Sequence, residues 1–405
     1  MTKVQKIVYS DTPASASVRA ARAVVDNEAE IVRAVGLMSG TSLDGVDVAY
    51  VVLQPPQATG RAAWTWQLQA AHTFPLAAEW HSFFCTLTGG QNLGAEPLVR
   101  RNVDFGRYLG KLVARFLTEI DAPPPHFVAS HGHTIFHQPT ADAAGPGFTF
   151  QLGHGGAVAV AAGLPVVCDF RPTDVALGGQ GAPLVPLGDR LLFPDAAVCL
   201  NLGGIANLSV ERADGGGRLA YDVCACNQLL NHLAAEAGLA YDDDGRLARA
   251  GQPVFALRAA LDAPPFFAGA APKSLGREWV EAHSLAALTA HAAVPLADRL
   301  RTVVEHIAGQ LATGIRAALA VAAPAAGRQV LATGGGALNG FLIERLRAEL
   351  GAAADVVVPA PEVVNFKEAI IFALLGALRW RGEINTLASA TGARRDSCGG
   401  AIYAP

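Results

Sequence analysis

The sequence predicts an α/β chain built as two similar halves, and three observations carry that expectation. Two apolar hairpin patterns with glycine-rich tips lie far apart, AVGLMSGTSLDGVDVAYVVL from Ala34 and AAVCLNLGGIANLSVERA from Ala196. Both sit among segments of helical periodicity. The length, 405 residues, exceeds what one core usually supports. The repeat is architectural, because no residue-by-residue repeat accompanies it.

Residues 1–34 form an N-terminal extension in which SASVRAARAVVDNEAEIVRAV, from Ser15, predicts a peripheral helix without chemistry. From Val35 the pattern turns to strand, polar glycine bend and strand, a hairpin with a tight, donor-rich tip. LVRRNVDFGRYLGKLVARFLTEI, from Leu98, repeats its apolar residues at three and four and predicts a helix. HFVASHG, from His126, reads as a buried strand ending in a polar turn. After the second hairpin, RQVLATGGGALNGFLIERL, from Arg328, reads as strand, glycine loop and helix.

Composition bounds the function. Hydrophobic residues make up 51% and charged residues 16%, which excludes disorder over most of the length. The net charge of -4, with acids and bases scattered, argues against a nucleic-acid or anionic-membrane partner. The cysteines, at 85, 168, 199, 224, 226 and 398, are too irregular for a disulfide framework. Without a signal peptide pattern, a reducing cytosol is the expected compartment. AIIFALLGAL, from Ala369, falls short of the roughly 20 apolar residues that cross a bilayer.

The chemistry lies in the glycine turns. GTSLDGVD, Gly40 to Asp47, offers backbone and hydroxyl donors to an anion, and Asp44 or Asp47 can hold a hydrated Mg²⁺; an ordinary Asp-Gly hairpin turn explains the segment equally well. NLGGIAN, Asn201 to Asn207, offers the same chemistry again. ATGGGALNG, Ala332 to Gly340, opens a helix whose N-terminus favours negative charge. YDVCACNQLL, from Tyr221, sets Asp222 and Asn227 around Cys224 and Cys226. A zinc site lacks an obvious second ligand pair even with His232 nearby, and a redox dithiol usually has Cys-x-x-Cys spacing. Two small buried thiols packing behind the site remain the plainest reading.

The order phosphate turn, phosphate turn, strand-loop-helix resembles the sugar kinase, Hsp70 and actin superfamily. Within it the chain resembles the anhydro-N-acetylmuramic acid kinase family, through GLMSGTSLDGVDVAYV at Gly36, SHGHTIFHQP at Ser130, VVCDFRPTDVALGGQGAPLVP at Val166, LNLGGIANLSV at Leu200, PKSLGREWV at Pro272, TGGGALNG at Thr333 and FKEAIIFALLGALRW at Phe366. The resemblance implies a two-lobed actin-like ATPase (ribonuclease H-like) fold with the nucleotide cleft between the lobes. One lobe comprises residues 35–174 plus 392–405, and the other residues 175–391. The implied activity is ATP- and Mg²⁺-dependent: water opens the 1,6-anhydro bridge of the sugar while O6 takes the γ-phosphate. A kinase of another anhydro or amino sugar, levoglucosan-like, or a nucleotide sensor that has lost catalysis, stays open beside it.

The resemblance also implies roles, motif by motif. Asp222 matches the water-activating base of a D-x-G-P-G-N segment, with Cys-Ala-Cys standing where Gly-Pro-Gly is usual. Gly40, Thr41, Ser42, Leu43, Asp44, Gly45, Val46, Asp47, Asn201, Gly203 and Gly204 are expected at the phosphates, with Asp44 on the metal through water. Gly334, Gly335, Gly336 and Asn339 are expected at the adenosine. His131, Thr134, Asp169, Arg171, Asn227 and Glu368 are expected at the sugar. Structural alternatives stand beside these: a helix N-terminal acid for Glu368, ion pairs for Asp169, Arg171 and Asp174, a metal cluster for His131, His133 and His137, and a surface lysine for Lys273. His133, Phe136, His154, Gly155, Pro172 and Thr173 depart from the family pattern and bear on recognition of the acidic lactyl or N-acetyl group. A homodimer is expected, with no nucleic-acid or membrane partner.

Overall fold

The computed structural model describes residues 31–40, 43, 45–56, 63–88, 93–140, 145–323 and 328–405. Most of the stretch expected as a peripheral helix therefore lies outside the described residues. Its end is strand rather than helix: β1 spans Val32–Ser39, because Val32 and Ala34 pair with Leu53 and Val51 and are buried. The expected boundary between residues 34 and 35 thus falls inside a strand.

β1 pairs antiparallel with β2 (Gly45–Gln54), which pairs antiparallel with β3 (Thr65–Pro75). On its other side β1 is parallel to β4 (Phe127–Ser130), and β4 to β7 (Val166–Cys168). β13 (Ala401–Tyr403) closes the edge against β7, giving a six-stranded sheet of order β13-β7-β4-β1-β2-β3. β5 (His133–Gln138) and β6 (Phe148–Leu152) form a separate two-stranded arm.

The second sheet repeats this plan. β8 (Val198–Leu202), β9 (Ile205–Glu211) and β10 (Arg218–Ala225) form an antiparallel meander. β11 (Gln329–Thr333) runs parallel to β8, and β12 (Asp355–Val357) parallel to β11. The order β10-β9-β8-β11-β12 matches β3-β2-β1-β4-β7 strand for strand. The two halves are therefore duplicates of one topology.

Both faces of the first sheet are covered, which is why β1 is buried almost throughout. One face packs on helices α1 (Ala78–Thr88), α2 (Ala95–Glu119) and α3 (Gly155–Ala162) through Val35, Leu37, Val48, Phe84, Leu109 and Val158. The other packs on α4 (Val185–Leu192) and, after α5 (Asn227–Ala235), α6 (Leu296–Val321) and α7 (Gly340–Leu350), on α8 (Pro361–Trp380). The sequence boundaries assigned α4 and α8 to the second half. Their apolar faces instead join the core of the first, with Leu187, Ile370, Ile371 and Leu374 against Ala34, Ala49 and Val51. Gly36 allows the approach, since a Cβ there would collide with the Ala369 carbonyl oxygen. Among the described residues no helix is long and apolar enough to cross a membrane.

α8 also touches β11 and the Gly335–Leu338 turn, so it bridges the halves. At that bridge Lys367 Nζ meets Asp189 Oδ1 at 2.7 Å, the two side chains only 6% and 5% exposed. Ser209 Oγ donates to Asp189 Oδ2 at 2.6 Å and accepts from Arg218 Nε and Nη2 at 3.1 and 2.9 Å. Burial alone would raise the Asp189 carboxyl, but Lys367, Arg218 and Ser209 outweigh it and hold it below its ordinary value. Burial likewise opposes the charge of Lys367, and Asp189 overcomes it, so its ammonium lies above its ordinary value.

The pair ties stability to pH from both sides. The carboxylate's contribution to stability is present above the ordinary carboxyl range and is lost as pH falls through the depressed value. The ammonium's contribution is present below its ordinary value and is lost as pH rises through the elevated one. Lys367→Met strands a buried carboxylate and is expected to lower the unfolding free energy by about 3–5 kcal/mol. Equilibrium urea denaturation should show Asp189→Asn/Lys367→Met, which removes both charges, to be less damaging than Lys367→Met alone.

Candidate functional site

The second sheet has two unlike faces because side chains alternate along each strand. Leu200, Leu208 and Tyr221 are directly paired neighbours and belong to the core that includes α6, where the Tyr221 hydroxyl donates to Gly314 O at 3.2 Å. The opposite face carries Ser209, which reaches Asp189 of α4 and so looks toward the first half. One polar row crosses that face: Thr333 pairs with Asn201, Asn201 with Asn207, and Asn207 with Asp222. At about 4.8 Å per strand the row reaches from the third glycine loop to the carboxylate.

A β-bulge lies between Asp222 and Cys224. Asp222 falls on the face opposite Tyr221 by ordinary alternation, and beyond it the bulge breaks the alternation, so that Val223, Cys224, Ala225 and Cys226 are all buried in the core. Burial raises the Cys224 thiol well above its ordinary value and pushes Cys226 up to about 12, so both are neutral packing groups. Asp222 Oδ2 accepts from Ser274 Oγ at 3.0 Å and from Leu275 N–H at 2.8 Å. Burial raises its carboxyl, and those two hydrogen bonds work against the rise.

The strand after the bulge is strapped to the second hairpin tip: Cys226 and Asn227 N–H donate to Gly204 and Gly203 carbonyls at 2.9 and 3.1 Å. Asn227 Nδ2 donates to Leu202 O at 2.9 Å, and a Cβ added at Gly336 would lie 2.9 Å from Asn227 Oδ1. Asn227 thus stands between the hairpin and the third loop. Gly334, with φ 80° and ψ 161°, occupies a conformation open essentially to glycine alone. Asn339 is occupied as a helix cap, its Oδ1 accepting from Leu342 N–H at 3.0 Å. What this loop presents to a ligand is Gly334 to Gly336 backbone.

In the first half, Thr41, Ser42 and Asp44 lie outside the described residues. Leu43 has φ 60°, and its N–H donates to Gly40 O at 3.4 Å. Gly45 begins β2, and the Val46 side chain is fully buried in the core, so only its backbone faces a ligand. Asp47 Oδ1 accepts from Thr73 Oγ1 at 2.6 Å.

A connected polar group surrounds Arg171. Arg171 donates from Nε and Nη2 to His131 Nε2 at 3.2 and 2.8 Å, and from Nη1 to Gly181 O at 2.7 Å. His131 Nδ1 donates to Gly132 O at 2.9 Å, so both ring nitrogens of His131 are engaged by protein and the ring holds Arg171 in place. Burial and the arginine keep His131 neutral, well below its ordinary value. Glu368 neighbours Arg171, Lys367 and Asp47, and its side chain is open to solvent yet ringed by protein. Burial raises that carboxyl, Arg171 and Lys367 oppose the rise, and Asp47 adds to it.

The arm adds Thr149 and Gln151, which the motifs did not single out, beside Thr134 and His137. Gln151 Nε2 donates to Thr149 Oγ1 at 2.8 Å and reaches Thr134 Oγ1 at 3.5 Å, while His137 Nδ1 lies 3.0 Å from Thr149 Oγ1. Burial, and after it the charge of Arg171, lowers the His137 imidazole below its ordinary value. His133 is buried against Phe84, with ring centroids 3.7 Å apart, and shares a 3.1 Å hydrogen bond with Ser39 at the root of the first hairpin. Asp169 adopts φ 56° with Oδ2 3.5 Å from Cys168 Sγ. Asp174 is wholly internal, accepting from Gly181 N–H and Thr391 Oγ1 at 2.7 and 2.8 Å. Lys273 turns away from the cleft to the Phe266 carbonyl, 2.9 Å away.

Two sheets of one duplicated topology, bridged by α8, define a two-lobed actin-like ATPase fold of ribonuclease H-like topology. Residues 32–405 match the family model described as anhydro-N-acetylmuramic acid kinase. The chain is 35% identical over 380 residues to the anhydro-N-acetylmuramic acid kinase of Vibrio cholerae serotype O1, covering 92% of this chain and 98% of that one. It is 37% identical over 386 residues to that of Variovorax paradoxus, covering 91% and 98%. The chain belongs to the anhydro-N-acetylmuramic acid kinase family.

The third loop separates its glycines by space. A Cβ at Gly334 would lie 2.5 Å from Asn201 Oδ1 and 2.9 Å from the Leu202 carbonyl carbon, whereas one at Gly335 meets only Asn227 Nδ2 at 3.7 Å. Gly334→Ala is therefore expected to cost about 1–3 kcal/mol of folding stability. Gly335→Ala should stay within about 0.5 kcal/mol, both read by denaturant unfolding.

Proposed function

We propose that this protein uses ATP to phosphorylate O6 of 1,6-anhydro-N-acetylmuramic acid while water opens the anhydro bridge, giving N-acetylmuramic acid 6-phosphate in the recycling of cell-wall fragments. Family membership supports the activity. The observation that carries the assignment of its chemistry is the polar row ending at Asp222, on the cleft face, with one carboxylate oxygen clamped by Ser274 and Leu275.

Asp222 takes a proton from water as the water oxygen bonds to C1 of the sugar. The C1–O6 bond breaks and its electron pair goes to O6. O6 then bonds to the γ-phosphorus, and ADP leaves with the electrons of the broken P–O bond. A carboxyl raised by burial is the better base near neutral pH, provided enough of it remains ionised. The tips at Gly40 to Asp47 and Gly203 to Gly204 cradle phosphates through backbone N–H groups, and Gly334 to Gly336 give close approach to the adenosine. Arg171, Glu368, Thr134 and Asn227 orient the sugar, with His131 fixing Arg171.

Mg²⁺, when bound, offsets charge on the phosphates. The donor set fits a hydrated divalent ion, because Asp47 and Glu368 are carboxylates close enough for one to raise the other; Asp44 belongs to the same reading. Homodimerisation completes the proposal and is checked by light scattering of the purified chain.

Incubation with ATP and 1,6-anhydro-N-acetylmuramic acid, beside levoglucosan, should give the phosphosugar of the first by mass. Asp222→Asn is expected to lower kcat by about 10²–10⁴ with ATP affinity and melting temperature unchanged. Near-normal turnover of that variant overturns the base assignment.

A further inference from the structure

Asp222 is gripped from a loop far along the chain. Its N–H donates to Lys273 O at 2.9 Å, while its Oδ2 accepts from Ser274 Oγ and Leu275 N–H. Three successive residues thus hold the backbone and one carboxylate oxygen of a strand residue beside a bulge. Oδ1 has no hydrogen-bond partner among the described residues. The loop is itself anchored, since Lys273 Nζ bonds the Phe266 carbonyl and lies 4.5 Å from the Phe266 ring centroid. That ring packs on Trp279, with centroids 5.3 Å apart.

Resting on the reading of Asp222 as the base, we propose that Ser274 is a positioning residue for it: the hydroxyl occupies Oδ2, turns Oδ1 to the attacking water, and keeps the carboxylate ionised in a partly buried site. The physical reason is the bond's asymmetry. A hydroxyl donating to a carboxylate stabilises the charged form and loses much of its strength once the acid is protonated. Burial at Asp222 pushes the other way, so the clamp sets where the balance falls. The charged neighbours leave this role to the clamp. Lys273 directs its ammonium to Phe266, β9 presents the neutral Asn207, and Cys224 lies beyond the bulge with its thiol protonated.

Ser274 is exposed, so its substitution leaves the core intact. With 1,6-anhydro-N-acetylmuramic acid and ATP as substrates, Ser274→Ala is expected to move the acid limb of the kcat/KM profile upward by about one pH unit, a tenfold change in proton affinity. Both KM values should hold on the alkaline plateau, and Ser274→Thr should restore the limb. A side-chain carboxyl NMR titration of the sugar-free protein, with the Asp222 signal identified by its loss in Asp222→Asn, should show the same displacement without turnover. An unmoved limb and titration, or a raised sugar KM with an unmoved limb, overturns the inference while an inactive Asp222→Asn leaves the base assignment standing. An active Asp222→Asn overturns both.

Discussion

The buried pair of Lys367 and Asp189 is the constraint on which the rest of the arrangement turns. Two unit charges removed from water are tolerable only when they neutralise each other and fill their remaining hydrogen bonds. Asp189 has the Lys367 ammonium beside one oxygen as an ion pair and accepts a hydrogen bond from Ser209 on the other. Because Lys367 sits on α8, Asp189 on α4 and Ser209 on β9, this single requirement fixes three elements from both halves against each other. Glu368 comes directly after Lys367 on the same helix, so the tie also sets where that carboxylate enters the cleft.

Around that tie, one topology used twice is put to different ends. In the first half both faces of the sheet are covered by helices, and the functional groups gather at strand ends and on the β5–β6 arm. In the second half one face is core, and the other carries the row of Asn201, Asn207 and Asp222 beside the buried Thr333 and Ser209. The β-bulge after Asp222 interrupts the strand's alternation, so that Val223 to Cys226 are all buried behind the acid. Cysteines in place of small, flexible residues are compatible with this, because a buried neutral thiol packs as a small apolar group.

The candidate site was read from residue types and order. The glycine tips, the acid in YDVCACN and the Glu after Lys367 each stand in local contexts that announce them. At other candidate residues the structure adds partners that the order of residues does not show. His131 binds Arg171 with one nitrogen and a backbone carbonyl with the other, Asn339 caps a helix, and Val46 points into the core. Gln151 gave no signal of its own, since a glutamine in a short strand is ordinary, and Ser274 lay inside PKSLGREWV with no role assigned to it.

By itself the sequence determined the two-fold plan, the strands and their turns, and which acid stands after the second hairpin, because alternation, helical spacing and glycine turns are properties of neighbouring residues. Only the tertiary structure decided that α4 and α8 complete the core of the first half, that β1 begins at Val32, and that residues 273–275 close on Asp222. Those outcomes depend on which apolar faces and which buried charges meet across long stretches of chain. Local periodicity says that a face is apolar, and only packing says which face it covers.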